Sequence, residues 1–291
     1  LNVLSLFDGI SCGQVALERA GIQVDKYYAS EINKYAIQVT QKNYPNTIQL
    51  GDITKIDGKQ LKNIDLLIGG SPCQGFSFAG KQLNFNDIRS ALFFEYVRLL
   101  KECKPTYFLL ENVKMKKEHQ DVISKYLGVE PIEINSALVS AQNRKRLYWT
   151  NIPGIEQPED KRILIADILT EKNWNTMILP STQKYINEII VKFGYLPQMF
   201  NPYNRSKIER KHPTLTATGN RQTTSAVLFF QRNGYLRITC ADEWELLQTL
   251  PCQYTSCLID EAKRKNVIAN GWTVDVIAHI LKNAHPQSNE K

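Results

Sequence analysis

Cys73 stands in Ser71-Pro72-Cys73-Gln74, directly after the apolar run Ile64-Asp65-Leu66-Leu67-Ile68-Gly69-Gly70. That succession reads as a buried strand followed by a loop. In open α/β sheets chemistry gathers outside the carboxyl ends of the strands, and a thiol there can attack an electrophilic carbon. Taken alone, Cys73 reads equally as a small buried hydrophobe. It is not alone: Asp8, Glu31, Asp52 and Glu111 each fall just past an apolar run as well. If those runs are parallel strands, all of these groups share one edge of the sheet.

Asp8-Gly9-Ile10-Ser11-Cys12-Gly13 is a tight glycine turn leading into a helix, the place where dinucleotide enzymes receive a pyrophosphate. It departs from G-x-G-x-x-G and carries a carboxylate, which would repel a pyrophosphate. The loop therefore suits an adenosyl ligand without phosphates. Glu31, after the second strand, is placed to accept ribose hydroxyls, and Asp52, after the third, to accept the adenine amino group. Glu111, in Glu111-Asn112-Val113, follows the strand next to the cysteine strand; a partly buried carboxylate there could be held protonated and donate to a ring nitrogen.

The elements that must position these groups follow a βαβ pattern. Strands are expected at 3–7, 27–30, 48–50, 66–68, 107–110, 132–135 and 146–150, with helices at 13–20 and 33–42. Leu92, Phe93, Tyr96, Val97, Leu99 and Leu100 recur at helical spacing and should pack on the sheet. From about 174 to 231 the texture turns polar and periodicity weakens, with a basic run at 205–211, so a second, less regular unit is expected. Thr239-Cys240-Ala241-Asp242 resembles a capping box opening a helix. A last helix carrying Val274, Ile277, Ile280 and Leu281 should return to the first domain. The expected division is 1–173 for the catalytic domain, 174–261 for the second domain and its hinge, and 262–291 for the returning helix.

The chain has 291 residues, 43% of them apolar, and 36 Lys+Arg against 29 Asp+Glu give a formal charge of +7. That is ordinary for a globular protein and consistent with a polyanionic partner. The cysteines (Cys12, Cys73, Cys103, Cys240, Cys252, Cys257) include no C-x-x-C pair, and no histidine cluster has zinc spacing, so no metal is expected. They read as reduced and intracellular. No apolar run reaches the roughly 20 residues that span a bilayer. A soluble, cytoplasmic protein is expected, with no membrane partner.

Four segments together, Leu6-Phe7-Asp8-Gly9-Ile10-Ser11-Cys12-Gly13, Gly69-Gly70-Ser71-Pro72-Cys73-Gln74-Gly75-Phe76-Ser77, Glu111-Asn112-Val113 and Gln142-Asn143-Arg144-Lys145-Arg146, resemble the DNA (cytosine-5) methyltransferases. The resemblance runs from Val3 to Tyr148 and resumes from about His212 to Leu281. The opening segment and 89–95 look like the vertebrate de novo enzymes; 73–89 looks like the catalytic loop of bacterial modification enzymes. The resemblance implies a Rossmann-like α/β sheet for S-adenosylmethionine, a second, smaller irregular target-recognition domain, and a product S-adenosylhomocysteine. It implies that Cys73 adds to carbon 6 of a cytosine flipped out of double-stranded DNA, that Glu111 stabilises ring nitrogen 3, and that Arg146 and Arg144 lie beside the site, Arg146 at the base carbonyl and Arg144 in the active-site or phosphate framework.

Cofactor contacts implied in the same way are Phe7, Asp8, Gly9, Cys12 and Gly13 in the first loop, Glu31 and Ile32 after the second strand, and Asp52 and Ile53 after the third. Pro72, Leu92, Trp272, Thr273 and Val274 complete them, Trp272 standing where many bacterial members have asparagine. For DNA, the resemblance implies Gln74, Ser77, Lys81 and Arg89 around the catalytic loop and Thr214, with Thr216 as its competitor, supporting the flipped nucleotide. In the recognition region Arg205, Lys207, Arg210, Lys211 and Arg221 are available to phosphates, and Asn201, Asn204, Asn220 and Gln222 to base edges. A bacterial or phage modification enzyme acting as a monomer, with a possible cognate restriction endonuclease, is expected. The rivals are a transfer-RNA cytosine methyltransferase, whose doubled proline before the cysteine and Cys-Phe-Thr segment are absent here, a catalytically silent DNA-binding accessory protein, and an NAD-dependent oxidoreductase.

Overall fold

A computed structural model describes residues 1–71, 88–170, 176–217, 222, 224 and 227–284. The chain divides into two compact units. The first holds Leu1–Asn135, Lys145–Pro158 and the stretch from Val274; the second holds Ser136–Arg144 and Glu159–Thr273.

In the first unit the order is β1 (Asn2–Leu6), α1 (Cys12–Arg19), β2 (Lys26–Ser30), α2 (Lys34–Asn43), β3 (Ile48–Gln49), β4 (Leu66–Gly69), α3 (Ile88–Cys103), β5 (Tyr107–Val113), α4 (Lys117–Leu127), β6 (Ile132–Asn135) and β7 (Lys145–Thr150). They build one seven-stranded sheet in the order β3-β2-β1-β4-β5-β7-β6. Strands β1 to β5 run parallel, and β7 runs antiparallel to both β5 and β6. β1 and β4 are buried at nearly every position because helices cover both faces of a parallel sheet.

The order reverses beside β1, so the crevice between the carboxyl ends of β1 and β4 is the topological switch point, where α/β sheets bind ligands. The stripe expected on α3 is the buried one: Phe93, Tyr96, Val97 and Leu99 pack with Leu4, Leu6, Leu67 and Leu110, flanked by Leu92 and Leu100. Gly69 ends β4 under that helix. A Cβ there would lie 3.0 Å from Leu6 O and 3.1 Å from the Tyr96 ring, so the close approach demands glycine. The last helix, α8 (Val274–Leu281 in chain order), packs on α1, where Arg19 and Asp275 pair at 2.6 Å.

The polar stretch of the second unit is more regular than its sequence texture implies. α5 (Pro180–Phe193) is followed by a four-stranded antiparallel sheet of β8 (Met199–Asn201), β9 (Ser206–Lys207), β10 (Phe229–Arg232) and β11 (Tyr235–Ile238), in the order β11-β10-β8-β9. Ile186, Ile189, Phe200, Val227 and Phe229 form its core. α6 (Ala241–Leu247) and α7 (Glu261–Asn270) also belong to this unit. The capping box at α6 falls one residue later than expected: Cys240 is the cap and its N–H donates to Glu243 (2.9 Å). Glu243 also pairs with buried Arg237 (2.9 Å), whose guanidinium lies over the Phe230 ring.

Candidate active site

The loop after β1 is built from left-handed backbone: Phe7, Gly9 and Ser11 have φ of 57°, 60° and 59°. Only glycine adopts this without strain, so the two other positions need support from side-chain bonds. Asp8 supplies it. Its carboxylate accepts from the Ser11 hydroxyl at 2.5 Å and the Tyr27 hydroxyl at 2.7 Å. Burial pushes Asp8 up to about 6, against the downward pull of those hydroxyls. Both oxygens therefore serve the loop itself.

Glu31, at the end of β2, ties the same loop from the other side. Its Oε2 accepts from Gly9 N (2.8 Å), and its Oε1 accepts from Ile32 N and Asn33 N (2.7 Å each). Asn33 in turn caps α2 by accepting from Tyr35 N and Ala36 N. Ile32, beside Glu31, is 78% exposed, an uncommon setting for a large aliphatic side chain. Asp52 caps the short turn after β3, where Thr54 N and Thr54 Oγ1 both donate to its Oδ1 and hold its carboxyl below the usual range. Ile53 is buried in the core, and Cys12 and Gly13 are buried in the first turn of α1.

At the end of β5, Glu111 is nearly buried and accepts from Arg146 Nε at 2.9 Å. The register explains the meeting: Glu111 lies opposite Tyr148 and Val113 opposite Arg146 on the antiparallel β7. Asn112, quoted in the sequence motif without a role, donates through Nδ2 to Ser71 O (3.3 Å) and Ser71 Oγ (3.2 Å). It thereby holds Ser71, the second residue after β4. Cys73 itself, with Pro72, Gln74, Ser77 and Lys81, lies outside the described residues, as does Arg221; of Arg89 only the backbone, in α3, is described.

In the second unit Arg144 is 5% exposed and donates to the carbonyls of Leu215 (3.2 Å), Gly271 (3.2 Å) and Ala269 (3.4 Å). Its guanidinium is thus spent on the backbone of its own unit rather than offered to a phosphate. Alongside, Gln142 accepts from Leu215 N (2.9 Å), His212 N donates to Ala141 O (2.7 Å) and Thr214 Oγ1 donates to Asn143 O (2.6 Å). The segments 141–144 and 212–215 are therefore stitched side by side, and burial pushes His212 down to about 4. Thr273 is buried between Ser136 Oγ and Gln248 Oε1 (2.9 Å each); Trp272 precedes it in the same unit, whereas Val274 opens α8 in the first.

A family model for C-5 cytosine-specific DNA methylase matches residues 1–285. The chain belongs to the C-5 cytosine-specific DNA methylases. It is 37% identical over 188 residues to the orphan methyltransferase M.SPRI of Bacillus phage SPR, covering 60% of the chain and 40% of that protein. To the type II methyltransferase M1.ScrFI of Lactococcus lactis subsp. cremoris it is 41% identical over 221 residues, covering 72% and 55%. The chain thus spans about half the length of these curated relatives. Among solved structures, the Entamoeba histolytica methyltransferase EhMeth superposes with a TM-score of 0.77 at 17% identity, covering 98% of this chain and 99% of that one. The S. pombe Dnmt2 methyltransferase superposes with a TM-score of 0.73 at 22% identity, covering 97% of each. At such identities the likeness is one of fold.

Several cations and amides considered for DNA are engaged elsewhere. Lys211 is a correction: its ammonium donates to Ala137 O, Ile163 O (2.6 Å each) and Ser140 O (2.9 Å), and burial lowers its pKa. Asn201 is another, fully buried with its amide on Val227 O (2.5 Å) and its oxygen accepting from Asn204 N. Gln222 accepts from Leu179 N and donates to Met177 O. Arg205 pairs with Glu188 (2.7 Å) over the Tyr185 ring, and Lys207 with Glu209 (2.7 Å). Exposed pairs of this kind contribute little to stability. Among the described residues no cluster suits a metal ion and no helix is long and apolar enough to cross a membrane.

Proposed function

We propose that this methylase transfers a methyl group from S-adenosylmethionine to carbon 5 of a cytosine in double-stranded DNA, with Cys73 as a covalent nucleophile and the base turned out of the stack. The observation that carries this reading is the pairing of Glu111 with Arg146 at 2.9 Å, on the strand whose next residue, Asn112, holds Ser71 two positions before Cys73.

The residues at the switch point suit an adenosyl ligand. A carboxylate offers about four acceptor sites, and Glu31 uses three of them on backbone N–H groups, which leaves one for a ribose hydroxyl. Asp52 Oδ2, engaged by no described residue, is available to the adenine amino group, and exposed Ile32 offers an apolar face to a purine ring. When bound, S-adenosylmethionine supplies an electrophilic methyl on a sulfonium. Phe7, Gly9, Cys12, Gly13, Pro72, Leu92, Trp272, Thr273 and Val274 complete the proposed surround.

Carbon 5 of cytosine is a poor nucleophile until carbon 6 is attacked. The Cys73 thiolate bonds to carbon 6 and pushes an electron pair toward carbon 5, while Glu111, oriented by Arg146, hydrogen-bonds ring nitrogen 3. Carbon 5 then takes the methyl group as the bond to sulfur breaks, leaving S-adenosylhomocysteine. Loss of the carbon-5 proton to a base sends the electron pair back and expels Cys73. Turning the base out costs a few kcal/mol, which Thr214 and the cations Arg205, Lys207, Arg89, Lys81 and Arg221, with Gln74 and Ser77, are proposed to offset on the DNA. The test is transfer of label from S-adenosylmethionine to duplex DNA and to transfer RNA. Label on duplex cytosine that Cys73→Ala abolishes is the expected result; label on RNA alone, or retained by the variant, contradicts it.

A further inference from the structure

We infer that Tyr27 is a positioning residue of the cofactor loop, acting through Asp8, so that cofactor affinity depends on the charge of a carboxylate sealed beneath the loop. The inference rests on the reading that this loop receives S-adenosylmethionine.

Tyr27 lies inside β2 and is 3% exposed. Its hydroxyl nonetheless reaches back to Asp8 Oδ1, while Ser11 donates to Asp8 Oδ2. The direction of these bonds is fixed from outside. Gln14 Nε2 donates to Ser11 Oγ (3.0 Å) and to Thr47 Oγ1 (2.8 Å), which commits the Ser11 proton to Asp8. Among the described residues, Ser5 also faces this carboxylate, and Glu31, whose own carboxylate is tied to Gly9 N, acts on it by charge.

An ionised Asp8 accepts both hydroxyl protons. A protonated Asp8 must instead donate, which reverses one of these bonds and forces the buried hydroxyls of Tyr27, Ser11 and neighbouring Ser5 to re-pair among themselves without access to water. A buried donor without an acceptor is costly. The cheapest relief is movement of the loop, whose left-handed Phe7 and Ser11 are held against their own preference. Burial brings the Asp8 titration to about 6, within reach of experiment. Removing the Tyr27 hydroxyl removes a bond that favours the ionised form, so the titration should move upward.

The experiment is calorimetric binding of S-adenosylmethionine and S-adenosylhomocysteine between pH 5 and 8 by the wild-type chain, Tyr27→Phe and Asp8→Asn; titrations of the ligands themselves cancel in the comparison. The wild type should bind at constant affinity above pH 7 and weaken as Asp8 gains its proton. Tyr27→Phe should weaken binding about three- to ten-fold at neutral pH, the worth of one buried hydrogen bond, with the midpoint displaced to higher pH. Asp8→Asn should bind weakly with no inflection. A Tyr27→Phe profile that superposes on the wild type overturns the inference. If the wild type binds neither ligand, the functional reading fails instead, and the carboxyl-carbon NMR titration of Asp8 still decides: a midpoint raised by Tyr27→Phe sustains the coupling, and an unmoved midpoint overturns it.

Discussion

Glu111 and Arg146 are residues whose meaning depends on a register that joins strands 35 positions apart in the chain, Glu111 facing Tyr148 across β5 and β7. Truncating Arg146 to alanine leaves Glu111 without the group that orients it. Methyl transfer by Arg146→Ala is expected to fall about a hundred-fold, the usual worth of a positioned acid–base group, with S-adenosylmethionine binding unchanged by calorimetry. Asp8 shows the limit of reading a residue from its neighbours. In a glycine turn a carboxylate reads as facing the ligand, yet the hydroxyl of Tyr27, on another strand, draws it inward. Tyr27 left only a faint trace in the sequence, as a tyrosine in a strand whose hydroxyl would need a partner once buried. Asn112 left a clearer one, since it sits inside a motif, but its bond to Ser71 requires knowing that β4 and β5 are neighbours.

The parallel strands and α3 were visible as elements because apolar runs and a helical stripe are strong periodic signals, and Phe93, Tyr96, Val97 and Leu99 occupy the core on that account. The second sheet was not, because strands of two to four residues are too short to establish a period and its core rests on few side chains. Two substitutions probe these elements. Gly69→Ala places a Cβ against Leu6 O and the Tyr96 ring; overpacking of this kind should cost about 1–3 kcal/mol in chemical unfolding. Arg237→Ala leaves Glu243 buried and uncompensated where both partners are sealed from solvent. It should cost about 3–5 kcal/mol, whereas removing the exposed Lys207 partner of Glu209 should leave the unfolding midpoint essentially unmoved.

At the scale of the molecule, the two units respond oppositely to acid. His212 falls from 6.5 to about 4 in the fold, so between those values the unfolded chain binds more protons and the second unit loses stability as pH falls through that window, by up to about 3 kcal/mol. Asp8 rises from 3.8 to about 6, so the folded form binds more protons there and the first unit gains a similar amount as pH falls from about 6 toward 4. Hydrogen exchange from pH 7 to 5 should therefore show protection weakening around 141–144 and 212–215 while it strengthens in β1 and β2; parallel changes in both would contradict these assignments.

The central claim is that Cys73 becomes covalently attached to the base during transfer. A duplex in which the target cytosine carries fluorine at carbon 5 tests it most directly, since fluorine cannot be lost as the proton is and the last step stalls. With S-adenosylmethionine present, a denaturant-resistant protein–DNA adduct should form, and the modified peptide should contain Cys73. Methylation of normal duplex without any adduct on the fluorinated one, or an adduct that persists in Cys73→Ala, would contradict the mechanism.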